Sequence, residues 1–382
     1  MLALKSSNIK QNPVLEMIEN DVRWSQYPVS AHQSPTIMTQ DPILSLRTAA
    51  GELPVSGATL ADVARVAGVS PITVSRALNQ PQLVRPHTVA RVQAAVARTG
   101  YVKNMTAGAL ASARSKLVSL VLPTISTPIF ADMVQAASDC LTEAGYQVML
   151  GLSSYEAWRE ELLVETILSR RPDGVILTGS LHTDSTRRRL QAARLPVVET
   201  WDLTPSPVDM MVGFSHEEVG HAIAQHLLQH GYRRIAILAV QDPRAARRNQ
   251  GLQAGLAKHG VEVAAVQAMP LPATFALGRE GLAALLARCP GIDAVVCSSD
   301  TLAHGVLTEA IGRGLAVPAQ LAVVGFGDLN FAAHTHPPLS TVRVDGANIG
   351  RMAAQAILDR LDGKRVAALT DTGFEFVQRG ST

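Results

Sequence analysis

Aromatic residues make up only 4% of these 382 residues, and cysteine occurs three times, at Cys140, Cys289 and Cys297. No CxxC pair is present, so neither a disulfide framework nor zinc-ribbon spacing is available, and a reducing, cytoplasmic setting is expected. No apolar run reaches the ~20 residues of a membrane helix, so no membrane partner is expected. The net charge is only +2. The chain as a whole is no polycation, and any charge meant for nucleic acid must be local. Catalytic and cofactor signatures are missing as well: there is no G-x-S-x-G, no P-loop and no G-x-G-x-x-G following a strand. HEEVGH at 216–221 spaces its histidines five apart, which rotates the second ring ~140° from the first on a helix and defeats a zinc-protease pairing. His226 and His230 are four apart without an intervening Glu, and they read as surface residues flanking a Leu227/Leu228 core face. No enzyme activity, cofactor or metal is expected.

Residues 1–57 are polar and mixed, and Pro13, Pro28, Pro35, Pro42 and Pro54 break any long element. No charged start precedes an apolar stretch, so a secretory signal is not expected. The segment reads as a disordered arm, or as a start placed too early with Met38 as the alternative.

What is present begins at residue 58. Thr59 can cap a first helix, with Asp62 in the capping-box position, and Leu60, Val63, Ala64 and Ala67 form its apolar face. Gly68 ends that helix. Ser70 caps a second, with Pro71 in its first turn, running to about Asn79. Val74 and Leu78 point inward, leaving Pro71, Ile72, Thr73, Ser75 and Arg76 outside. A third helix spans 86–98 with Val89, Val92 and Val96 as its stripe, and Gly100 stops it. Two short helices joined by a tight glycine turn form the helix-turn-helix pattern. Arg65, Arg76, Arg85, Arg91, Arg98, Lys103, Arg114 and Lys116 face a single acid, Asp62. This local excess suits phosphate contacts on double-stranded DNA.

From residue 117 the texture changes. Aliphatic runs at 117–122, 146–151, 174–179 and 196–201 alternate with amphipathic segments through 140–144 and 156–170. A second series follows: helix 217–230, strand 234–240, helix 249–259, strand 261–266, helix 277–287, strand 294–299, helix 302–313 and strand 321–327. Such alternation implies parallel sheets with helices on both faces, and two series imply two lobes with a ligand cleft between them.

TLADVA (59–64), AGVS (67–70), TVSR (73–76) and GYVKN (100–104) resemble the LacI family of bacterial repressors, and the likeness runs to the last residues, VQRGST. The resemblance implies an all-α helix-turn-helix domain at 58–103. It implies a hinge helix and linker at 104–116 and a two-lobed α/β periplasmic-binding-protein-like effector domain at 117–382. Its lobes would be about 117–213 with 345–372, and about 214–344 with 373–382, the crossing at 342–346 leading into a helix over 349–361. Pro71, Ile72 and Arg76 become base readers, Arg76 being suited to guanine. Thr59, Ser70, Thr73 and Ser75 become DNA contacts. Asn104 and Ala107 fall in the hinge, and Leu110 matches a leucine that wedges into the minor groove. On the effector side the likeness and the strand ends together nominate Ile129, Phe130, Thr178, Trp201, Phe214, Arg248, Ser299, Asp300 and Asp328.

One departure stands out. Relatives usually carry Asp directly after the aromatic of the last motif, where this chain has Gly327 followed by Asp328. Loss of that carboxylate, with Arg248 kept and Arg244 and Arg247 nearby, favours an anionic ligand. Stretches such as VLPTISTPIFADMV and PVVETWDLTPSP also look like the gluconate-operon repressor branch. The reading is a homodimeric repressor of gluconate or ketogluconate genes, released from operator DNA by its effector. The alternatives are a regulator answering to a neutral sugar or nucleoside, a corepressor-dependent member, and a sugar-binding receptor protein.

Overall fold

Thr59 and Asp62 begin the ordered helices by satisfying each other. The Thr59 amide donates to Asp62 Oδ2 at 3.0 Å, and the Asp62 amide donates to Thr59 Oγ1 at 3.3 Å. The computed structural model describes residues 57–102, 114–180 and 182–382. The expected arm up to residue 56 and the hinge residues Asn104, Ala107 and Leu110 therefore lie outside the described residues. The chain divides into two units, Met1–Lys103 and Asn104–Thr382.

The first unit holds α1 (Leu60–Ala67), α2 (Pro71–Asn79) and α3 (Pro86–Thr99). Gly68 takes the left-handed conformation, φ 60°, and closes α1. Ser70 Oγ accepts from the Thr73 amide at 3.2 Å and starts α2. The core comprises Val63, Ala64, Ala67, Val74, Ala77, Val92 and Ala95. In α3 the fully buried stripe is Val92 with Ala95, three apart and so on one face, while Val89 and Val96 are only partly covered. In α2, likewise, Ala77 rather than Leu78 is fully buried.

The second unit has two parallel sheets. The strands are β1 (Leu117–Leu122), β2 (Gln147–Leu152), β3 (Gly174–Thr178), β4 (Val197–Thr200), β5 (Met210–Gly213), β6 (Ile235–Val240), β7 (Ala265–Met269), β8 (Ala294–Cys297), β9 (Ala322–Val324), β10 (Thr341–Arg343), β11 (Leu369–Asp371) and β12 (Glu375–Val377). One sheet has the order β11-β5-β4-β3-β1-β2 and the other β7-β6-β8-β9, while β10 and β12 pair antiparallel beside them. The helices are α4 (Ala131–Glu143), α5 (Ala157–Ser169), α6 (Asp184–Ala193), α7 (His216–Gln229), α8 (Pro243–Ala257), α9 (Phe275–Arg288), α10 (Asp300–Gly312) and α11 (Gly346–Leu361). Leu120 and Leu122 of β1 enter one apolar cluster and Val121 the opposite one, so both faces of the sheet are covered.

The strand expected at 261–266 forms instead at Ala265–Met269, because Glu262 breaks the run and residues 261–264 approach as a loop. Helix α6 is absent from the sequence expectation, since its DSTRRRLQAA is mostly charged and polar and buries only Thr186 and Leu190.

Helices α7 and α8 touch backbone to backbone through two glycines. A Cβ on Gly220 would stand 2.1 Å from the Arg248 carbonyl oxygen, and one on Gly251 would stand 2.1 Å from that of Glu217. Neither carbonyl can retreat without unwinding its helix. Gly251→Ala is expected to destabilise the unit by about 1–3 kcal/mol, the usual cost of overpacking, despite Ala being the better helix former. Urea unfolding measures it, and an equal or higher midpoint would show that the helices are free to separate.

A buried charge cluster pins the first lobe. His182, its side chain 1% exposed, lies 2.6 Å from Glu160 Oε1 and 3.4 Å from Glu199 Oε1, with Arg187 3.7 Å from the same Glu199 oxygen. Burial alone would lower the imidazole, but the two glutamates outweigh it and raise its pKa to about 9. A raised folded-state value favours the folded protein fully below the unfolded pKa of 6.5, and the benefit fades as pH climbs through about 9. Wild type is expected to lose stability across that window and His182→Gln to lose much less. Parallel losses in both proteins would remove the imidazolium from this role.

Candidate functional site

On the first unit, α2 presents an outward face. Ile72 is 65% exposed and Pro71 and Arg76 are exposed beside it. Arg76, Arg85 and Arg98 have no carboxylate partner among the described residues, whereas Arg65 is paired with Asp62. Arg91 is spent inside the unit, donating to the carbonyls of Ala67 and Gly68 at the end of α1. The polar nominees are partly committed. Thr59 Oγ1 donates to Asp62 Oδ2 at 2.6 Å, Ser70 and Thr73 hydroxyls lie 2.9 Å apart, and Ser75 Oγ receives Asn79 Nδ2 at 3.3 Å.

On the second unit, a cavity of about 210 Å³ lies between the two lobes at the carboxyl ends of their strands. The first lobe contributes Ser126, Thr127, Pro128, Ile129, Phe130, Tyr155 and Trp201, and the second His216, Asp242, Arg244, Arg248, Ser298, Ser299, Thr301 and Phe326 among others. The scarce aromatic rings form a relay along it, with Phe130, Trp201 and Phe326 in its wall and Phe214 beneath. Phe130 meets Trp201 edge-on at 5.3 Å, Trp201 meets Phe214 at 6.1 Å, and Phe214 reaches Phe326 at 6.3 Å. Arg248 stacks on Phe326, with Cζ 3.8 Å from the ring centroid.

The electrostatics are set by α8. Asp242 caps it, accepting from the Arg244 amide at 2.7 Å, and takes the Arg244 side chain on both oxygens, Nε at 3.2 Å and Nη2 at 2.9 Å. Burial would raise the Asp242 carboxyl, but Arg244 and then Arg248 hold it at about 2. Arg248 is 8% exposed. Its Nη1 faces His216 Nδ1 at 3.2 Å and its Nη2 donates to the Ser298 carbonyl at 3.0 Å. Burial, with Arg244 nearby, lowers its pKa to about 10, only partly offset by Asp242. His216 lies 2.9 Å from the Trp201 carbonyl through Nε2. That nitrogen must carry the proton, so Nδ1 presents its lone pair to Arg248. Burial and the two arginines drive the His216 pKa well below its usual value, and the ring stays neutral.

Of the nine effector nominees, Ile129, Phe130, Trp201, Arg248 and Ser299 line this cavity. The other four do not. Thr178 ends β3 away from the lining, and Phe214 is wholly buried beneath it as part of the ring relay. Asp300 is turned inward, accepting from Thr341 Oγ1 at 2.5 Å and the Leu329 amide at 2.7 Å. Burial raises its carboxyl to about 6. Asp328 is drawn off by two arginines, Arg343 Nε at 2.7 Å and Arg379 Nη2 at 2.7 Å. Sequence reasoning missed Tyr155, His216 and Asp242. His226, expected at the surface, is 8% exposed and stacked 4.2 Å from Phe376. Among the described residues no three His, Cys, Asp or Glu side chains are placed to hold a metal.

Comparison with known proteins adds to this geometry. Residues 59–104 match the model for bacterial regulatory proteins of the lacI family, and residues 224–382 match that for a periplasmic binding protein-like domain. The HTH-type transcriptional regulator GntR of Pseudomonas aeruginosa is 40% identical over 327 residues, covering 85% of this chain and 95% of the relative. A LacI-family transcriptional regulator from Silicibacter pomeroyi superposes with a TM-score of 0.81 at 35% identity, covering 85% of this chain and 99% of that one. The lac repressor dimer bound to operator and an anti-inducer superposes with a TM-score of 0.75 at 25% identity, over 85% and 99%.

Proposed function

The chain belongs to the lacI family of bacterial regulatory proteins, and we propose that this DNA-binding transcriptional regulator represses genes of sugar-acid metabolism as a cytoplasmic homodimer. The observation that carries the acid reading is Arg248, a buried cation in the cavity wall whose hydrogen-bond partners, His216 and the Ser298 carbonyl, are both neutral. A buried charge calls for a counter-charge, and a guanidinium grips a carboxylate with two hydrogen bonds. Gluconate or a ketogluconate supplies that carboxylate, and its hydroxyl groups suit the Tyr155, Ser299 and Thr301 side chains in the same wall. Ligand binding acts on DNA only if one arrangement of the lobes binds it more tightly than the other.

Thermal stability against neutral sugars and sugar acids tests this. A ligand at ~100 times its dissociation constant adds ~2.7 kcal/mol to the folded state. A shift with gluconate and none with glucose is expected, and it should vanish in Arg248→Met while operator binding persists. A shift with neutral sugars alone overturns the acid reading.

On the DNA side, Pro71, Ile72 and Arg76 are the proposed base readers and Leu110 the minor-groove wedge. Leu110→Ala should weaken operator binding at least about tenfold, since unstacking a base step costs about a few kcal/mol and the inserted side chain is what offsets it. Effector binding should be unchanged. Undiminished operator affinity would rule the wedge out.

A further inference from the structure

Three arginines leave α8 on one face, and they meet three fates. Arg244, Arg247 and Arg248 stand at i, i+3 and i+4. Arg244 is closed on Asp242 by two side-chain hydrogen bonds. Arg247 crosses to the first lobe and meets Asp202 Oδ1 at 2.5 Å. Asp202 is itself fixed, its other oxygen accepting from Ser180 Oγ at 2.5 Å. Arg248 has only neutral partners, because His216 must offer it the unprotonated nitrogen. The ionised side chains in the cavity wall are thus Arg244, Asp242 and Arg248, and they leave one positive charge uncompensated.

We propose that this count restricts the cavity to ligands bearing a single negative charge, with Asp242 setting the limit by occupying Arg244. The inference rests on the acid reading above and narrows it to monoacids. A second carboxylate or a phosphate on the same ligand would meet only guanidinium groups already paired. It would then lie desolvated and unneutralised, or it would have to displace a resident aspartate. Asp242 does not give way easily. It holds the α8 amide as well as the Arg244 side chain, and it stays ionised at any physiological pH.

The test compares gluconate with glucarate, the same six-carbon chain carrying one carboxylate or two. Calorimetric titration at pH 7.5 is made on the full-length wild type and on Asp242→Asn and Asp242→Ser. Asn keeps the helix cap at residue 242, because its side-chain oxygen still accepts from the first turn. Wild type should bind glucarate at least about tenfold more weakly than gluconate, since a buried charge without a partner is strongly unfavourable. Asp242→Asn, by freeing Arg244, should bring the ratio to within about threefold. Should that variant fail to fold, Asp242→Ser, whose hydroxyl can also cap the helix while removing the charge, carries the same expectation. Equal wild-type affinities would overturn the charge limit and leave the acid reading standing. A ratio unchanged in the folded variants would overturn the role of Asp242. Binding of neither acid would overturn both the acid reading and this one.

Discussion

The contact between Gly220 and Gly251 is the constraint on which the ligand cavity depends. It brings the backbones of α7 and α8 together where any side chain would collide with a carbonyl oxygen. Glycine in a helix interior costs ~1 kcal/mol relative to Ala, and here it lets two helices carrying the site's polar groups act as one body. His216 begins α7 and Arg248 lies one turn before Gly251 on α8. Close approach therefore sets the imidazole against the guanidinium at 3.2 Å. A wider interhelical spacing would open that bond and leave Arg248 to find a carboxylate of its own.

From this fixed pair the contacts between lobes follow. Arg244 lies over the Phe130 ring of the first lobe at 5.3 Å, and Arg247 pairs with Asp202 there. His216 meets the Trp201 carbonyl. All three involve the chain at or beside the carboxyl ends of strands, and two use neighbouring residues, Trp201 and Asp202. Trp201 has a left-handed backbone, φ 63°. That conformation is uncommon for a bulky residue. It lets Trp201 face the cavity while Asp202 meets Arg247. A change in lobe arrangement that breaks the ion pair must also move the tryptophan, so ligand contact and lobe contact are mechanically coupled.

The sequence made the local features legible and the convergent ones obscure. Caps at Thr59, Ser70 and Gly68 depend on residues within a few positions, and they could be read directly. The buried strands declared themselves as aliphatic runs, while α6 did not, because its one buried face is narrow and its sequence is charged. The family likeness reached Arg248, Trp201 and Phe130. It could not reveal that Asp242 neutralises Arg244, which is a matter of side-chain direction at a cap. His216 was hidden for a different reason. Its HEEVGH context is polar and looks solvent-facing, yet the first residue of α7 points back into the ring relay. Asp328 was misassigned because adjacency to a motif does not fix direction, and Arg343 and Arg379 draw its carboxylate elsewhere.

Gly327 brings the sequence departure and the cavity charge together. Its φ of 126° is open to glycine and strained for other residues. A Cβ there would lie 3.2 Å from Ile129 Cδ1 in the opposite lobe and 3.7 Å from Asp300 Oδ2. A carboxylate carried on that Cβ would project beside a carboxyl that burial already holds near a pKa of 6. Two such groups cannot both ionise cheaply in a desolvated setting. The residue in the usual aspartate position of the family is thus one that adds no negative charge and keeps the lobes close. On the facing helix, Arg248 keeps a positive charge without a carboxylate of its own. The two features lie on different elements and are far apart in sequence, yet both shift the cavity potential toward accepting an anion.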